Sequence, residues 1–357
     1  ERLLMKGRYD SLFERIRRSD YYLYEEIEVP VRERTYRTVS KMGLPGWPAV
    51  DPAQLVLAEA VDLTPGTQAL VLGCGCGLAA VAAAEQAGAG RVLAVDHDCV
   101  AVEATRRTIA LEGVRNTEVE LRATTGELPG EQYDAVLIEL PKGREPVQRA
   151  LAEAQRLLKV GGWVYLGGAN TAGIKGYARL LEDFFAGSDV LLYRHGARVV
   201  GGRKHEGIPA APELVRWQGL RVQARGREYR IATAPGVISW QELDPGTAAL
   251  LEAMPVRSGD RVLDLGCGNG LLGLAAAQIA RRGQAVLVDA DARAVEAARE
   301  TLRLNAVPNA EVRVSDVISA VSEESFDVVV TNLPFHAGVG ADFSVPLAFI
   351  VGSARVL

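Results

Sequence analysis

An internal repeat constrains the fold of this chain more than any other feature of its sequence. Adding 193 to a position in the first half gives the corresponding position in the second half, without a gap over more than a hundred residues. The matched pairs include Tyr36 and Tyr229, Trp47 and Trp240, Asp51 and Asp244, Glu59 and Glu252, Gly73 and Gly266, Asp96 and Asp289, and Pro141 and Pro334. A constant offset over such a length predicts two duplicated domains.

Each copy alternates short apolar runs with longer helical patterns, which is typical of a parallel sheet with crossover helices. In the second copy we predict strands over residues 261–265, 285–288, 311–314 and 326–331, and helices over residues 271–280 and 292–305. In the first copy we predict a later helix over residues 147–158, a turn at Gly161 and Gly162, and a fifth strand over residues 163–166. The fold class is therefore α/β, with two tandem Rossmann-like domains.

The repeat also predicts where the domains divide. We expect one domain over residues 1–205 and the other over residues 206–357, with the boundary in the Pro- and Gly-containing stretch 207–212. The second copy stops at Leu357, close to the counterpart of Leu158, so we expect its last strands to be absent and the domain to be incomplete at its C-terminal end.

Composition excludes several classes of protein. No run approaches eighteen consecutive apolar residues, which predicts a soluble, cytoplasmic protein that does not contact a membrane. The four cysteines form no CxxC pair, and we expect neither a metal site nor a disulfide. We also expect a monomer.

The net charge of −5 argues against a generally basic surface for nucleic acid. One local exception lies between Arg194 and Arg230, where nine Lys and Arg residues face three acidic residues. A solvated linker and an RNA contact are both open interpretations of this stretch.

A glycine-rich loop follows the first strand of the second copy and contains Gly266, Gly268 and Gly270. A strand that enters such a turn and then opens a helix lets a ligand approach free backbone N–H groups. The glycines at 268, 270 and 273 also satisfy the G-x-G-x-x-G pattern of dinucleotide-binding loops. The first glycine of that pattern, however, falls two residues later than the end of the strand would place it. Asp264 at the strand end would attract the ammonium and sulfonium of S-adenosylmethionine and repel a pyrophosphate. The loop therefore favours S-adenosylmethionine over NAD.

Two further carboxylates end the next strands. Asp289 is placed to bind ribose hydroxyls, a role that both cofactors share. Asp316 could accept a hydrogen bond from an adenine amino group or merely form a turn. Together with Asp264, these residues predict a site for a nucleoside that carries a cation.

The fourth strand leads into Asn332, Leu333, Pro334 and Phe335. An exocyclic amine on a base is a poor nucleophile, because its lone pair is conjugated. The Asn332 carboxamide oxygen and a backbone carbonyl could accept both amino hydrogens while Phe335 stacks on the flipped base. The structural alternative is that Asn332 merely caps a turn and Phe335 fills the core. We assign no catalytic role to His336.

These residues resemble the class I methyltransferases with an Asn-Pro-Pro-aromatic motif and, more narrowly, the ribosomal RNA guanine-N2 methyltransferases of the RsmC/RlmG type. The narrower resemblance rests on the tandem copies and on the runs 229–247 and 332–338. It implies S-adenosylmethionine as cofactor and ribosomal RNA or a ribosomal subunit as partner, with the small subunit favoured. It also implies a catalytic second domain, a degenerate first domain that holds RNA, and a loop at 235–239 near the cofactor.

The resemblance implies roles for individual residues. The implied cofactor contacts are Asp264, Gly266, Gly268, Asp289 and Asp316, and the implied base contacts are Asn332 and Phe335. Leu333 departs from the family, which has its first proline there. In the first copy the chemical positions are replaced as follows: Val71 for Asp264, Ala123 for Asp316, Glu139 for Asn332 and Lys142 for Phe335. We therefore expect a non-catalytic first domain.

Other functions are compatible with the same motif. An asparagine and aromatic pair also occurs in methyltransferases that act on adenine N6 or on glutamine amides of proteins. From a different class, the chain could be a catalytically silent RNA-binding module.

Overall fold

The computed structural model describes residues 20–209, 211, 216–238, 240–334 and 343–357. Contacts within the chain divide it into two compact units. The first domain is Tyr24–Leu214. The second domain is Val215–Leu357 together with Glu1–Leu23, of which residues 20–23 are described.

The first domain begins with a hairpin and continues with alternating strands and helices. Its strands are β1 (Glu25–Val31), β2 (Arg34–Ser40), β3 (Gln68–Leu72), β4 (Arg91–Asp96), β5 (Thr117–Leu121), β6 (Tyr133–Glu139), β7 (Leu158–Ala169), β8 (Ala186–Arg194) and β9 (Ala197–Arg203). Its helices are α1 (Pro52–Ala60), α2 (Leu78–Ala87), α3 (Cys99–Glu112), α4 (Arg144–Leu157) and α5 (Ile174–Glu182), with a short 3-10 helix at Asn170–Ala172.

The first domain has a seven-stranded sheet in the order β5-β4-β3-β6-β7-β9-β8. The pairs from β5 to β7 are parallel, and β9 and β8 extend the sheet in antiparallel fashion. Helices cover both faces, so the central strand β3 is almost wholly apolar and buried.

The second domain repeats this order. Its strands are β10 (Gln218–Ala224), β11 (Arg227–Thr233), β12 (Arg261–Leu265), β13 (Gln284–Asp289), β14 (Ala310–Val314) and β15 (Val328–Val330). Its helices are α6 (Pro245–Ala253), α7 (Leu271–Ile279), α8 (Ala292–Leu304) and α9 (Ser344–Val356), and a 3-10 helix lies at Asp20–Tyr22. The parallel sheet has the order β14-β13-β12-β15.

The repeat in the sequence is a repeat in the structure. From β1 to β5, each element of the first domain has a counterpart 193 residues later that begins at the matching residue. Both copies begin their first long helix in the same way, with an aspartate N-cap, Asp51 or Asp244, followed by proline. The prediction of two consecutive α/β copies is confirmed.

Two local predictions were wrong. The predicted turn at Gly161 and Gly162 lies inside β7, where Gly161 has φ +83° and the pairing with β6 shifts register between Tyr133 and Ala135. A glycine with positive φ accommodates a bulge without ending the strand. The predicted strand 326–331 is shorter, Val328–Val330: among the described residues β15 pairs only with β12, whereas its longer counterpart β6 also pairs with β7.

The division between the domains lies later than the predicted 205/206 boundary. Gln155 fastens part of the predicted linker to the first domain: its Nε2 donates to the Pro209 carbonyl at 3.0 Å, and its Oε1 accepts from the Ala211 N–H at 2.5 Å. The contacts therefore place the division between Leu214 and Val215.

Within the described part of the chain, every helix is too short or too polar to cross a bilayer.

Candidate functional site

The predicted site residues lie at or just beyond the carboxyl ends of the four parallel strands in the second domain. In the ladder, Leu265 of β12 pairs with Val288 of β13, and Asp264 pairs with Val330 of β15. In an open parallel sheet, ligands bind at this edge. The structure brings the following residues to it: Asp264, Asp289, Asp316 and Asn332.

The glycine loop leaves open space above its middle residue. Gly268 has φ +53°, and a Cβ built on it would meet no described atom within 4 Å. The loop is attached to β13, because the N–H groups of Gly266 and Cys267 donate to the Val288 carbonyl at 2.9 and 3.0 Å. The backbone at Gly268 is therefore accessible to a ligand.

Gly270 and Gly273 serve packing. Gly270 has φ +81°, and a Cβ there would lie 2.8 Å from the Ala298 Cβ of α8. A Cβ on Gly273 would lie 2.3 Å from Leu287 Cγ of β13. The start of α7 can approach both elements only because these positions lack side chains. Helix packing thus accounts for Gly270 without a ligand.

Asp264 is a buried carboxylate, 1% exposed, that is only partly satisfied. Its Oδ2 accepts a hydrogen bond from the Gly273 N–H at 2.7 Å, whereas Oδ1 is buried without a partner among the described residues. Burial raises the pKa of Asp264 to about 7, and the Asp289 carboxylate adds to the rise. An unsatisfied buried oxygen destabilises a protein, and a ligand ammonium would supply both the donor and the opposite charge.

Asp289 organises two loops. Its Oδ2 accepts from the Gly268 N–H at 2.9 Å, and its Oδ1 accepts from the Asp291 N–H at 3.0 Å. Burial raises the pKa of Asp289 to about 6, against the effect of these hydrogen bonds. Each oxygen retains a lone pair, so the carboxylate can still accept from two hydroxyls.

Asp316 lies in the loop after β14, next to a strained residue and near a half-buried phenol. Val317 has φ +52°, which is rare for a β-branched side chain. Burial raises the pKa of Tyr22 to about 12, and the Asp316 carboxylate adds to this rise. Tyr22 comes from the N-terminal segment, so sequence reasoning about the repeat did not associate it with this loop.

Asn332 is half-buried, and its amide group is held by the N-cap residue and a first-turn residue of α6. Its Nδ2 donates to Asp244 Oδ2 at 2.8 Å and to Thr247 Oγ1 at 3.0 Å. Both amide hydrogens are engaged in this way. Within the described part of the chain, no group donates to Asn332 Oδ1, which is therefore available to a ligand.

The rest of the motif is described only in part. Leu333 and Pro334 are half-buried and irregular in backbone. Phe335, His336 and Ser239 lie outside the described residues. The roles proposed for Phe335 and for the end of the 235–239 loop therefore stay predictions.

Sequence reasoning missed the roles of Asp244 and Thr247. The match of Asp51 with Asp244 in the repeat indicated only the duplication and the start of a helix. A signal was nevertheless present, because Gln54 stands at the counterpart of Thr247, and Glu139 stands at the counterpart of Asn332. Thr247 and Asn332 are thus both replaced in the first copy, and such a joint replacement is expected where two side chains contact each other.

In the first domain, those two replacements fill the corresponding site. Gln54 Nε2 donates to Glu139 Oε2 at 2.5 Å and to the Gly73 carbonyl at 3.0 Å. A Cβ on Gly75, the counterpart of Gly268, would lie 3.1 Å from both side chains. Asp96 still accepts from the Gly75 N–H at 3.1 Å. The loop has kept its backbone geometry, but the space above it is occupied.

The basic stretch 194–230 is mostly regular structure, so the linker interpretation was wrong for most of its length. Each of its nine cations contacts another group of its own domain. The partners are, in chain order, Glu59, Asn170, Gly161, Glu131, Glu296, Glu228, Leu251, Gln278 and Leu304. Contact of this stretch with RNA stays a prediction.

Comparison with known proteins gives matches to both copies. The family model described as the methyltransferase small domain matches residues 35–200 and 228–357. The ribosomal RNA small subunit methyltransferase C of Aeromonas hydrophila is 35% identical over 222 residues, which cover 61% of this chain and 63% of that protein. The match thus spans less than two thirds of that relative. The ribosomal RNA large subunit methyltransferase G of Streptomyces avermitilis is 30% identical over 318 residues, with 88% and 82% covered.

One solved structure is similar over nearly the whole chain. It is the T. thermophilus 16S rRNA N2 G1207 methyltransferase RsmC in complex with AdoMet and guanosine. The TM-score is 0.78 at 30% identity, and the superposition covers 93% of this chain and 86% of that one.

Proposed function

This chain belongs to the methyltransferase small domain family, and on that premise we propose that its second domain methylates the exocyclic N2 amine of a guanine in ribosomal RNA, with S-adenosylmethionine as methyl donor. The resemblance to the RsmC/RlmG type is confirmed by the relatives. The observation that carries the proposal is the buried Oδ1 of Asp264, which has no hydrogen-bond partner among the described residues, near the end of the strand that leads into the open space at Gly268. We place the reaction in the cytoplasm.

The donor set fits this cofactor. Asp264 would hold the ammonium, because its buried Oδ1 receives no hydrogen bond from any described residue. Asp289 would accept from the ribose hydroxyls, and Asp316 would accept from the adenine amine. Gly268 leaves the backbone exposed to the ligand. A pyrophosphate would face the carboxylates of Asp264 and Asp289 and be repelled, so a dinucleotide does not fit.

When bound, S-adenosylmethionine supplies a methyl group activated by the adjacent sulfonium. The residues of this chain must then present the amine. Asn332 Oδ1 would accept one amino hydrogen and help to hold the nitrogen lone pair out of conjugation with the base ring. The same contact strengthens as positive charge develops on the nitrogen. Phe335 would stack on the base and stabilise its unstacked state. No strong base is needed before attack, because the methylated nitrogen loses its extra proton to water only after the methyl group has been transferred.

The first domain serves as a non-catalytic scaffold in this proposal. Gln54 and Glu139 occupy the space above its glycine loop, and Val71 stands where a carboxylate would be needed. A role in holding RNA fits the family, in which this copy is degenerate.

The subunit specificity is the finer part of the proposal. The relative with the higher identity acts, by its name, on the small subunit, and the superposed structure is a 16S rRNA enzyme. The large-subunit relative is less identical but matches more of the chain. We propose the small subunit as substrate.

A labelling experiment tests this function. Purified protein is incubated with labelled S-adenosylmethionine and hypomethylated small or large subunits, and nucleosides are separated after nuclease digestion. We expect N2-methylguanosine from small subunits and none with Asn332→Ala. Label in large subunits alone would reassign the substrate, and label in N6-methyladenosine or in protein would overturn the guanine assignment.

A further inference from the structure

The Asn332 amide is oriented by a carboxylate that can only accept hydrogen bonds. Asp244 Oδ2 lies 2.8 Å from Asn332 Nδ2 and 2.8 Å from the Thr247 backbone nitrogen. Hydrogen bonds from the Thr247 backbone N–H and the Asn332 amide lower the pKa of Asp244, so it stays ionised. An ionised carboxylate has no proton to donate. The amide must therefore turn its NH₂ group toward Asp244.

The Thr247 hydroxyl oxygen lies 3.0 Å from Asn332 Nδ2 and accepts the second amide hydrogen. A flipped Asn332 would place its carbonyl oxygen against the Asp244 carboxylate, where the two would repel each other. One negative charge thus selects one of the two amide orientations.

We propose that Asp244 and Thr247 are positioning residues that hold Asn332 with its oxygen toward the target base, so that the site selects a base that presents an amino group. This inference rests on the proposed function and adds a reason for its specificity. An amide oxygen accepts from an amine, whereas it repels a carbonyl oxygen or an unprotonated ring nitrogen at the same place. In the opposite orientation, the NH₂ group would favour those groups instead.

Gly246 leaves room for this arrangement. A Cβ on Gly246 would lie 2.9 Å from Asp244 Oδ2 and 3.1 Å from Asn332 Oδ1. Both contacts are tighter than ordinary packing. The absence of a side chain at Gly246 therefore leaves room for the Asp244 carboxylate and the Asn332 amide group to meet.

Asp244 is also the N-cap of α6, and this purely structural role must be separated from the proposed one. Serine is a good N-cap but is too short to reach the amide, so Asp244→Ser keeps the cap and removes the contact. The first domain offers a matched control, since Asp51 caps α1 by accepting from the Ala53 N–H at 2.7 Å. Asp51→Ser tests the same cap change away from the site.

The second pair of variants addresses Thr247. Thr247→Val has nearly the same shape but lacks the hydroxyl, whereas Thr247→Ser retains it. We expect Asp244→Ser and Thr247→Val to lower kcat on the order of 10–100-fold, because a misdirected acceptor loses the reactive geometry. Thr247→Ser and Asp51→Ser should stay within about threefold of wild type, and thermal unfolding should show all four variants folded.

A binding experiment supplies a readout that does not depend on turnover. Inosine equals guanosine without the N2 amine, so the ratio of their dissociation constants isolates recognition of that amine. We expect wild type to prefer guanosine, and we expect Asp244→Ser and Thr247→Val to lose most of this preference. The affinity for S-adenosylmethionine should not change.

A double-mutant cycle decides whether Asp244 acts through Asn332. In the Asn332→Ala background, Asp244→Ser should have no further effect on kcat or on the nucleoside preference. An equal loss in both backgrounds, an unchanged preference in folded Asp244→Ser, or equal losses in Thr247→Ser and Thr247→Val would overturn the inference. A wild-type protein that fails to methylate guanine while still preferring guanosine would instead refute the proposed function alone.

Discussion

Asp264 accepts the backbone N–H of Gly273 through Oδ2, at 2.7 Å, while its Oδ1 remains buried without a partner among the described residues. The Asp264 carboxylate therefore holds the first turn of α7 with one oxygen, while its other oxygen can still accept a hydrogen bond from a ligand. Burial, reinforced by Asp289, raises its pKa to about 7. The buried, partly unsatisfied carboxylate destabilises the cofactor-free protein, and binding of a cation would relieve this destabilisation.

The first prediction concerns cofactor affinity and pH. An ammonium binds the ionised form of Asp264, so the affinity for S-adenosylmethionine should rise between pH 5 and pH 7, by up to roughly tenfold per unit. The ammonium itself stays largely protonated over this range. Isothermal calorimetry checks the slope. Asp264→Asn should bind weakly and with a flatter profile, and an equally steep profile in that variant would assign the titration to another group.

The second prediction concerns the stability of the cofactor-free protein. The folded-state pKa of Asp264 lies above its ordinary value of 3.8, so the folded state binds more protons than the unfolded state between these values. The contribution of this group is complete below pH 3.8 and is lost as pH rises through about 7, by about 4 kcal/mol at most.

Urea unfolding at pH 5 and pH 8 tests this sign. The free energy of unfolding of wild type, relative to that of Asp264→Asn, should fall as pH rises. Asp264→Asn keeps an oxygen for the Gly273 N–H and carries no charge, so the subtraction removes the titration of the groups that do not interact with Asp264. A relative stability that increases with pH would contradict the environment described for Asp264.

The third prediction separates two glycines of one loop. Gly270→Ala should destabilise the protein by more than the 1–2 kcal/mol expected for a left-handed backbone, because its Cβ would lie 2.8 Å from the Ala298 Cβ. Gly268→Ala carries only the backbone penalty, yet its methyl enters the open space. Thermal unfolding and calorimetry should therefore show the larger stability loss for Gly270→Ala in the free protein, and loss of cofactor affinity in folded Gly268→Ala.

Much of the fold was predictable from the sequence, because the periodicity of buried strands and amphipathic helices is local. The helices α7 and α8 ended within one residue of the prediction. The contact between Asp244 and Asn332 joins residues 88 positions apart, and no local pattern encodes it. The bulge at Gly161 was missed for a related reason, since pairing with β6 carries the strand through a dipeptide typical of turns.

The fourth prediction is one cofactor site per chain. Asp289 and Asp96 make the same hydrogen bonds to their loops. Substituting each of them therefore tests equivalent positions in the two domains. Calorimetry should give a one-to-one stoichiometry that Asp289→Ala weakens and Asp96→Ala leaves unchanged. A second tight site, lost only in Asp96→Ala, would show that Gln54 and Glu139 do not block the first domain.

The fifth prediction concerns the two residues that would handle the target base, and it follows from when each of them acts. Asn332 contacts the amine most strongly as positive charge develops on its nitrogen, so Asn332→Ala should lower kcat by roughly 100-fold or more with little change in RNA affinity. Phe335 would act earlier, because a ring face stabilises an unstacked base by about 1–3 kcal/mol. Phe335→Ala should therefore weaken productive binding as well as rate.

Phe335→Tyr is the matched control for this division of roles, since it keeps the ring face and should be tolerated. Steady-state kinetics with small subunits and direct RNA-binding measurements, made on the same preparations, separate kcat from KM. An Asn332→Ala protein that loses RNA affinity but keeps its kcat would show that the amide binds rather than activates. Because its oxygen is the only amide atom left free by Asp244 and Thr247, activation of a donor amine is the role that its geometry favours.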